Sequence, residues 1–225
     1  MAQYTRLEVA NEMHKAGLVP LFYNPDTEIC KKVVTACYKG GIRIFEFTNR
    51  GDFAHEVFAE LVKYAKQHLP GLKIGVGSVV DPGTTSLYLQ LGANFIVSPL
   101  LNEEMAGICN RRKVLWSPGC GSVSEISKAE GLGAEIIKIF PASQVGGPKF
   151  IAAVKGPMPW SHLMPSGGVE PTEENLSAWF KAGAFCVGMG SKLITKDILT
   201  SGNFNKLEEI VRSTLALIQT IKENL

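Results

Sequence analysis

Short, mostly apolar runs rich in β-branched and aromatic residues recur along the chain: LVPLFY, GIRIFEFT, LKIGVGS, ANFIVS, KVLWS, AEIIKIF, HLMP and AFCVGM. Runs of this length, apolar on both faces, read as strands of a sheet covered on two sides. Between them lie TEICKKVVTACYKG, DFAHEVFAELVKYAKQH, GTTSLYLQLG, EEMAGICNRR, SVSEISKAEGLG and TEENLSAWFKAG, where apolar residues return at helical spacing. Several end in glycine, the residue that closes a helix in the left-handed conformation. The phrase of a small residue, glycine and an apolar strand returns as KGGIRIFEF, QLGANFIVS, GLGAEIIKIF and KAGAFCVGM, one strand-helix unit used repeatedly. Eight such alternations predict an α/β fold, a single (β/α)8 TIM barrel spanning residues 1–225. The opening MAQYTRLEVANEMHKAG supplies an extra N-terminal helix, and FNKLEEIVRSTLALIQTIKENL an outer helix that closes the ring. A doubly wound open sheet is the alternative.

Composition narrows the function classes. A chain of 225 residues that is 45% hydrophobic and 20% charged, with a net charge of +2, is an ordinary soluble globular protein. The densest basic run, Arg111-Arg112-Lys113, is too short for a nucleic-acid surface. The N-terminus has no signal-peptide apolar core, and no segment reaches the ~20 apolar residues that span a bilayer. Cys30, Cys37, Cys109, Cys120 and Cys186 are odd in number and form no C-x-x-C pair, which predicts reduced thiols in a cytoplasmic protein. The four histidines are scattered, and no His/Cys/carboxylate cluster at ligand spacing predicts a metal site.

In a barrel, chemistry sits at the carboxyl ends of the strands. The second strand ends in Glu46, Thr48 and Arg50 at alternate positions, so an acid, a hydroxyl and a guanidinium face one space, either as a site or as a self-satisfied ion pair. Lys138 lies in the sixth strand between isoleucines. Desolvation disfavours an ammonium there, and a neutral amine is the nucleophile that forms a Schiff base with a ketone. Its structural alternative is an interior pair with Glu46, and the two readings are compatible because proton shuttling needs a carboxylate beside the amine. After the seventh and eighth strands come Ser166-Gly167-Gly168 and Gly188-Met189-Gly190-Ser191, glycine turns where backbone N–H groups can approach a phosphate. Ser78 follows the third strand, Pro99 the fourth, and Cys120 lies in the turn after the fifth.

This ordered set, E-x-T-x-R, G-x-G-[ST], S-P, P-G, K-x-F-P-A, P-[ST]-G-G and G-x-G-S, resembles the class I aldolases that cleave 2-keto-3-deoxy-6-phosphogluconate (KDPG) and 4-hydroxy-2-oxoglutarate (KHG), over nearly the whole chain. The resemblance implies Lys138 as the Schiff-base lysine and Glu46 as the general acid/base. Arg50 and Ser78 would hold the pyruvate carboxylate, Thr48 would neighbour the base, Phe140 and Pro99 would shape the pocket with Ser166 beside them, and Gly167, Gly168, Gly190 and Ser191 would take the phosphate. Ser78 and Ser166 stand where the family commonly has threonine, and Asn49 replaces an apolar residue, its side chain expected to point away from the pocket.

The activity so implied is cleavage of KDPG to pyruvate and glyceraldehyde 3-phosphate, extending to KHG, without metal or organic cofactor. The expected partner is a keto-acid (phospho)sugar, not nucleic acid or membrane. The resemblance also implies a homotrimer, with Trp160 and Trp179 as candidate interface residues or core cover. Two other readings stay open on the residues alone: a phosphosugar epimerase or isomerase with Glu46 as base, and a non-catalytic phosphate-ligand-binding barrel.

Overall fold

The computed structural model describes residues 2–225. Helix α1 (Arg6–Ala16) starts at a reciprocal capping box between Thr5 and Glu8 and stops at Gly17, whose φ of 67° places it in the left-handed region. The strands follow in order as β1 (Leu18–Phe22), β2 (Ile44–Thr48), β3 (Lys73–Gly77), β4 (Phe95–Val97), β5 (Leu115–Ser117), β6 (Gly119–Cys120), β7 (Ile137–Ile139), β8 (Leu163–Pro165) and β9 (Val187–Met189). The intervening helices are α2 (Thr27–Lys39), α3 (Ala54–His68), α4 (Pro82–Leu91), α5 (Glu103–Arg112), α6 (Val123–Gly131), α7 (Gly147–Lys155), α8 (Glu173–Lys181), α9 (Lys196–Ser201) and α10 (Phe204–Glu223).

Six parallel strands lie in the order β5-β4-β3-β2-β1-β9, and three more in the order β6-β7-β8. The expected fifth strand is thus two pieces, β5 and β6, on either side of Pro118, which has no N–H to give to a ladder. Its carbonyl still accepts from Lys138 N at 2.9 Å. A parallel bridge between Ser166 and Gly188 joins the end of β8 to β9.

Alternation along the strands separates two cores. Val19, Ile44, Phe95, Val97, Leu115, Ile136, Met164 and Cys186, drawn from both strand groups, meet Val9 and Met13 of α1 in one interior cluster. Their neighbours on the opposite face, Phe45, Phe47, Ile96, Ile137 and Ile139, pack under the helices. Helix α1 therefore plugs one end of the interior, and Glu12 fastens it to Lys73 of β3 at 3.0 Å. No helix of the described residues is long and apolar enough to cross a membrane.

Candidate active site

Glu46 falls on the Ile44 face of β2 and Lys138 on the Ile136 face of β7, so both point to the interior above the apolar cluster. They are 1% and 6% exposed, and Lys138 Nζ lies 4.0 Å from Glu46 Oε1. That separation exceeds a direct hydrogen bond and suits a bridging hydroxyl or water. Glu46 Oε1 has no hydrogen-bond partner, a condition that costs about 1–3 kcal/mol for a buried polar atom. Burial pushes the Glu46 carboxyl above the usual glutamate range, with Lys138 and then Arg50 opposing it. Gly77 on β3 makes room for this carboxylate, because a Cβ there would overlap it. Lys138 Nζ also sits 5.1 Å from the centre of the Phe140 ring.

Above this pair opens a cleft of about 410 Å³. Tyr23, Thr48 and Arg50 line one side. Phe140, Ser166, Gly167, Gly168, Gly190 and Ser191 line the other, together with Lys192 and Lys196. Gly167 and Gly168 have φ of 95° and 83°, a region that side chains rarely enter, and a Cβ on Gly168 would come 2.6 Å from Ser143 Cβ. Neither of their N–H groups takes part in the turn and loop hydrogen bonds of the described residues, so both are available to an anion.

Eight of the residues singled out in the sequence thus surround one cleft, with Lys138 and Glu46 beneath it. Ser78 stands one step away. Its φ of 59° is unusual for a non-glycine residue, and its Oγ accepts from Arg50 Nε at 3.4 Å. Pro99 does not line the cleft; its backbone packs so closely on Gly119 that a Cβ there would overlap it. Asn49 turns away from the cleft and accepts a hydrogen bond from the Tyr88 hydroxyl at 2.8 Å. Cys120 faces the helical shell, and burial pushes its thiol up to about 12. All five cysteines are buried free thiols. Trp179 is buried in the helical core and cannot serve an interface, whereas Trp160 is 65% exposed.

Three polar side chains of the cleft are not among the residues singled out from the sequence: Tyr23, Lys192 and Lys196. Tyr23 is the last residue of the predicted strand segment LVPLFY and Lys192 directly follows GMGS, and those strand-end positions are the available signal.

Residues 9–210 match the family model of KDPG and KHG aldolase. A 2-dehydro-3-deoxy-phosphogluconate aldolase of Pseudomonas aeruginosa is 33% identical over 177 residues, 78% of this chain and 77% of that one. The KHG/KDPG aldolase of Escherichia coli K12 is 27% identical over 198 residues, 88% of this chain and 90% of that one. Among solved structures, the KDPG aldolase of Legionella pneumophila, in which pyruvate is captured at low pH as a covalent carbinolamine intermediate, is similar with a TM-score of 0.83 at 25% identity, covering 91% of this chain and 97% of that one. With the match running through nearly all of the fold and the whole of the cleft, the chain belongs to the KDPG and KHG aldolase family and is a class I aldolase, a carbon–carbon lyase.

Proposed function

We propose that Lys138 and Glu46 carry out a retro-aldol cleavage of KDPG in this cleft. The observation that carries the assignment is a buried amine and carboxyl 4.0 Å apart beneath a cleft with a guanidinium at one side and glycine turns at the other. The Lys138 amine adds to the C2 ketone of the substrate while the Glu46 carboxyl protonates the carbonyl oxygen, giving a carbinolamine. Loss of water leaves an iminium, the electron sink. The Glu46 carboxylate then takes the C4 hydroxyl proton. As the C4 oxygen becomes an aldehyde, the C3–C4 electron pair moves into the iminium to form an enamine, and glyceraldehyde 3-phosphate leaves. Protonation at C3 and hydrolysis free pyruvate and the amine. A carboxyl held above its ordinary range by burial suits alternating donation and acceptance of protons.

Arg50, steadied by Ser78, clamps the keto-acid carboxylate with its planar fork. Thr48, Phe140 and Ser166 shape the donor pocket, with Pro99 supporting it through Gly119, and Gly167, Gly168, Gly190 and Ser191 receive the phosphate. KHG, cleaved to pyruvate and glyoxylate, is the second substrate. The pairings of neighbouring strands, the Ser166–Gly188 bridge and the shared interior cluster support a closed (β/α)8 barrel acting as one unit over residues 1–225. The exposed Trp160 supports a homotrimer, and the five unpaired thiols a cytoplasmic location.

Borohydride reduction in the presence of pyruvate, followed by peptide mass spectrometry, tests the assignment. The expected result is one adduct, on Lys138, and its loss together with turnover in Lys138→Ala. An adduct elsewhere, or full activity in that variant, overturns it.

A further inference from the structure

The cleft has a charge pattern that the glycine turns do not explain. Arg50, Lys192 and Lys196 line it, and no carboxylate side chain does. Arg50 follows β2, while Lys192 and Lys196 follow β9. These two strands flank β1, which at about 4.8 Å per strand separates them by roughly 10 Å. One cation therefore stands near the carboxylate end of a six-carbon keto acid and two stand at the far end.

The two lysines differ in their partners. Lys192 Nζ is 2.7 Å from Glu170 Oε1, with side chains 60% and 41% exposed. Lys196 is exposed and has no ion-pair partner among the described residues. An exposed ion pair such as Lys192–Glu170 is weak, so a dianion reaching the cleft displaces Glu170 from it. Residues that merely solubilise a surface do not gather as like charges around one concavity without an acidic counterpart inside it.

We propose that Lys196 and Lys192 are the residues that select a phosphorylated over a non-phosphorylated keto acid, with Glu170 competing for Lys192. The proposal rests on the aldolase reading of this cleft and adds the side-chain charges that discriminate between substrates. Backbone N–H groups at Gly167 and Gly168 orient an oxyanion of either charge. A pair of ammonium groups rewards the second negative charge of a phosphate monoester in particular.

The test compares kcat/KM for KDPG and for its non-phosphorylated counterpart, 2-keto-3-deoxygluconate, in the wild type and in Lys196→Gln, Lys192→Gln and Glu170→Gln. Formation of the pyruvate adduct on Lys138 reports that each variant is folded. Lys196→Gln is expected to reduce the ratio of the two kcat/KM values by about tenfold, through KM of the phosphorylated substrate, as loss of one charge-assisted contact implies. Glu170→Gln is expected to raise the ratio by about twofold, the scale of a surface ion pair. Raising ionic strength should raise KM for KDPG in the wild type, and less so in Lys196→Gln. An unchanged ratio in both lysine variants overturns this inference while leaving the aldolase reading intact. Absence of pyruvate release by the wild type from either substrate overturns the reading and the inference with it.

Discussion

Glu46 is held in a condition that folding alone would not select. Its carboxyl is buried, one oxygen has no hydrogen-bond partner, and the nearest cation is at 4.0 Å rather than in contact. Because burial raises its folded-state value above the usual 4.5, its contribution to stability is complete below that value and is lost as pH rises through the folded one. Glu46→Gln should therefore unfold at a higher denaturant concentration than the wild type at neutral pH, with the gap closing as pH falls toward 4.5. The same variant should lose about 10²–10⁴-fold in kcat, the usual worth of a positioned acid/base. Parallel stability curves across that pH window would remove Glu46 as the titrating group. The sequence made this residue conspicuous through alternation with Thr48 and Arg50, and Lys138 conspicuous through its isoleucine neighbours. It could not supply their separation, which depends on strand register and on Gly77 leaving space for the carboxylate. Lys192, marked only by following GMGS, and Lys196 are inconspicuous for another reason: exposed lysines are common, and only the cleft makes these two a set.

At the scale of elements, the eight apolar runs each locate a strand because strands covered on both faces leave little room for polar residues. Three elements depart from that reading: β6, α7, and α9, whose six residues are too few to show a helical period. Helix α7 begins GPKF after Gly146, a Gly-Gly-Pro opening that reads as a turn, although proline within the first helical turn loses no hydrogen bond. The β5 and β6 pieces were read as a strand and the turn after it because Pro118 interrupts the ladder. Helix α1 was predicted, but its task was not. It drives Val9 and Met13 into the interior cluster. Met13→Ala removes a fully buried side chain there and should cost about 2–5 kcal/mol, read as a lowered Tm. A loss below about 1 kcal/mol would mean that α1 lies on the structure rather than sealing it.

For the whole molecule, the exterior carries the remaining expectation. Trp160 is 65% exposed in the loop before β8, an unusual position for so large an apolar side chain unless another surface covers it. In the proposed homotrimer the wild type should sediment at three times the 24.4 kDa chain mass, and Trp160→Glu should shift it toward lighter species. Wild-type sedimentation at the chain mass would rule that assembly out.

The plug formed by α1 also governs the order of traffic. The apolar cluster fills the interior on one side of Lys138. The cleft opens on the other, beside Thr48 and Phe140, two residues further along the chain from Glu46 and Lys138, so the proposed nucleophile should be approached from the cleft alone. In the direction of carbon–carbon bond formation, pyruvate has to reach the floor before the aldehyde takes its place over it. If the glycine turns receive the phosphate as proposed, an aldehyde phosphate that settles there first should bar the way to the amine, and substrate inhibition by the acceptor is the expected result in steady-state kinetics of the condensation.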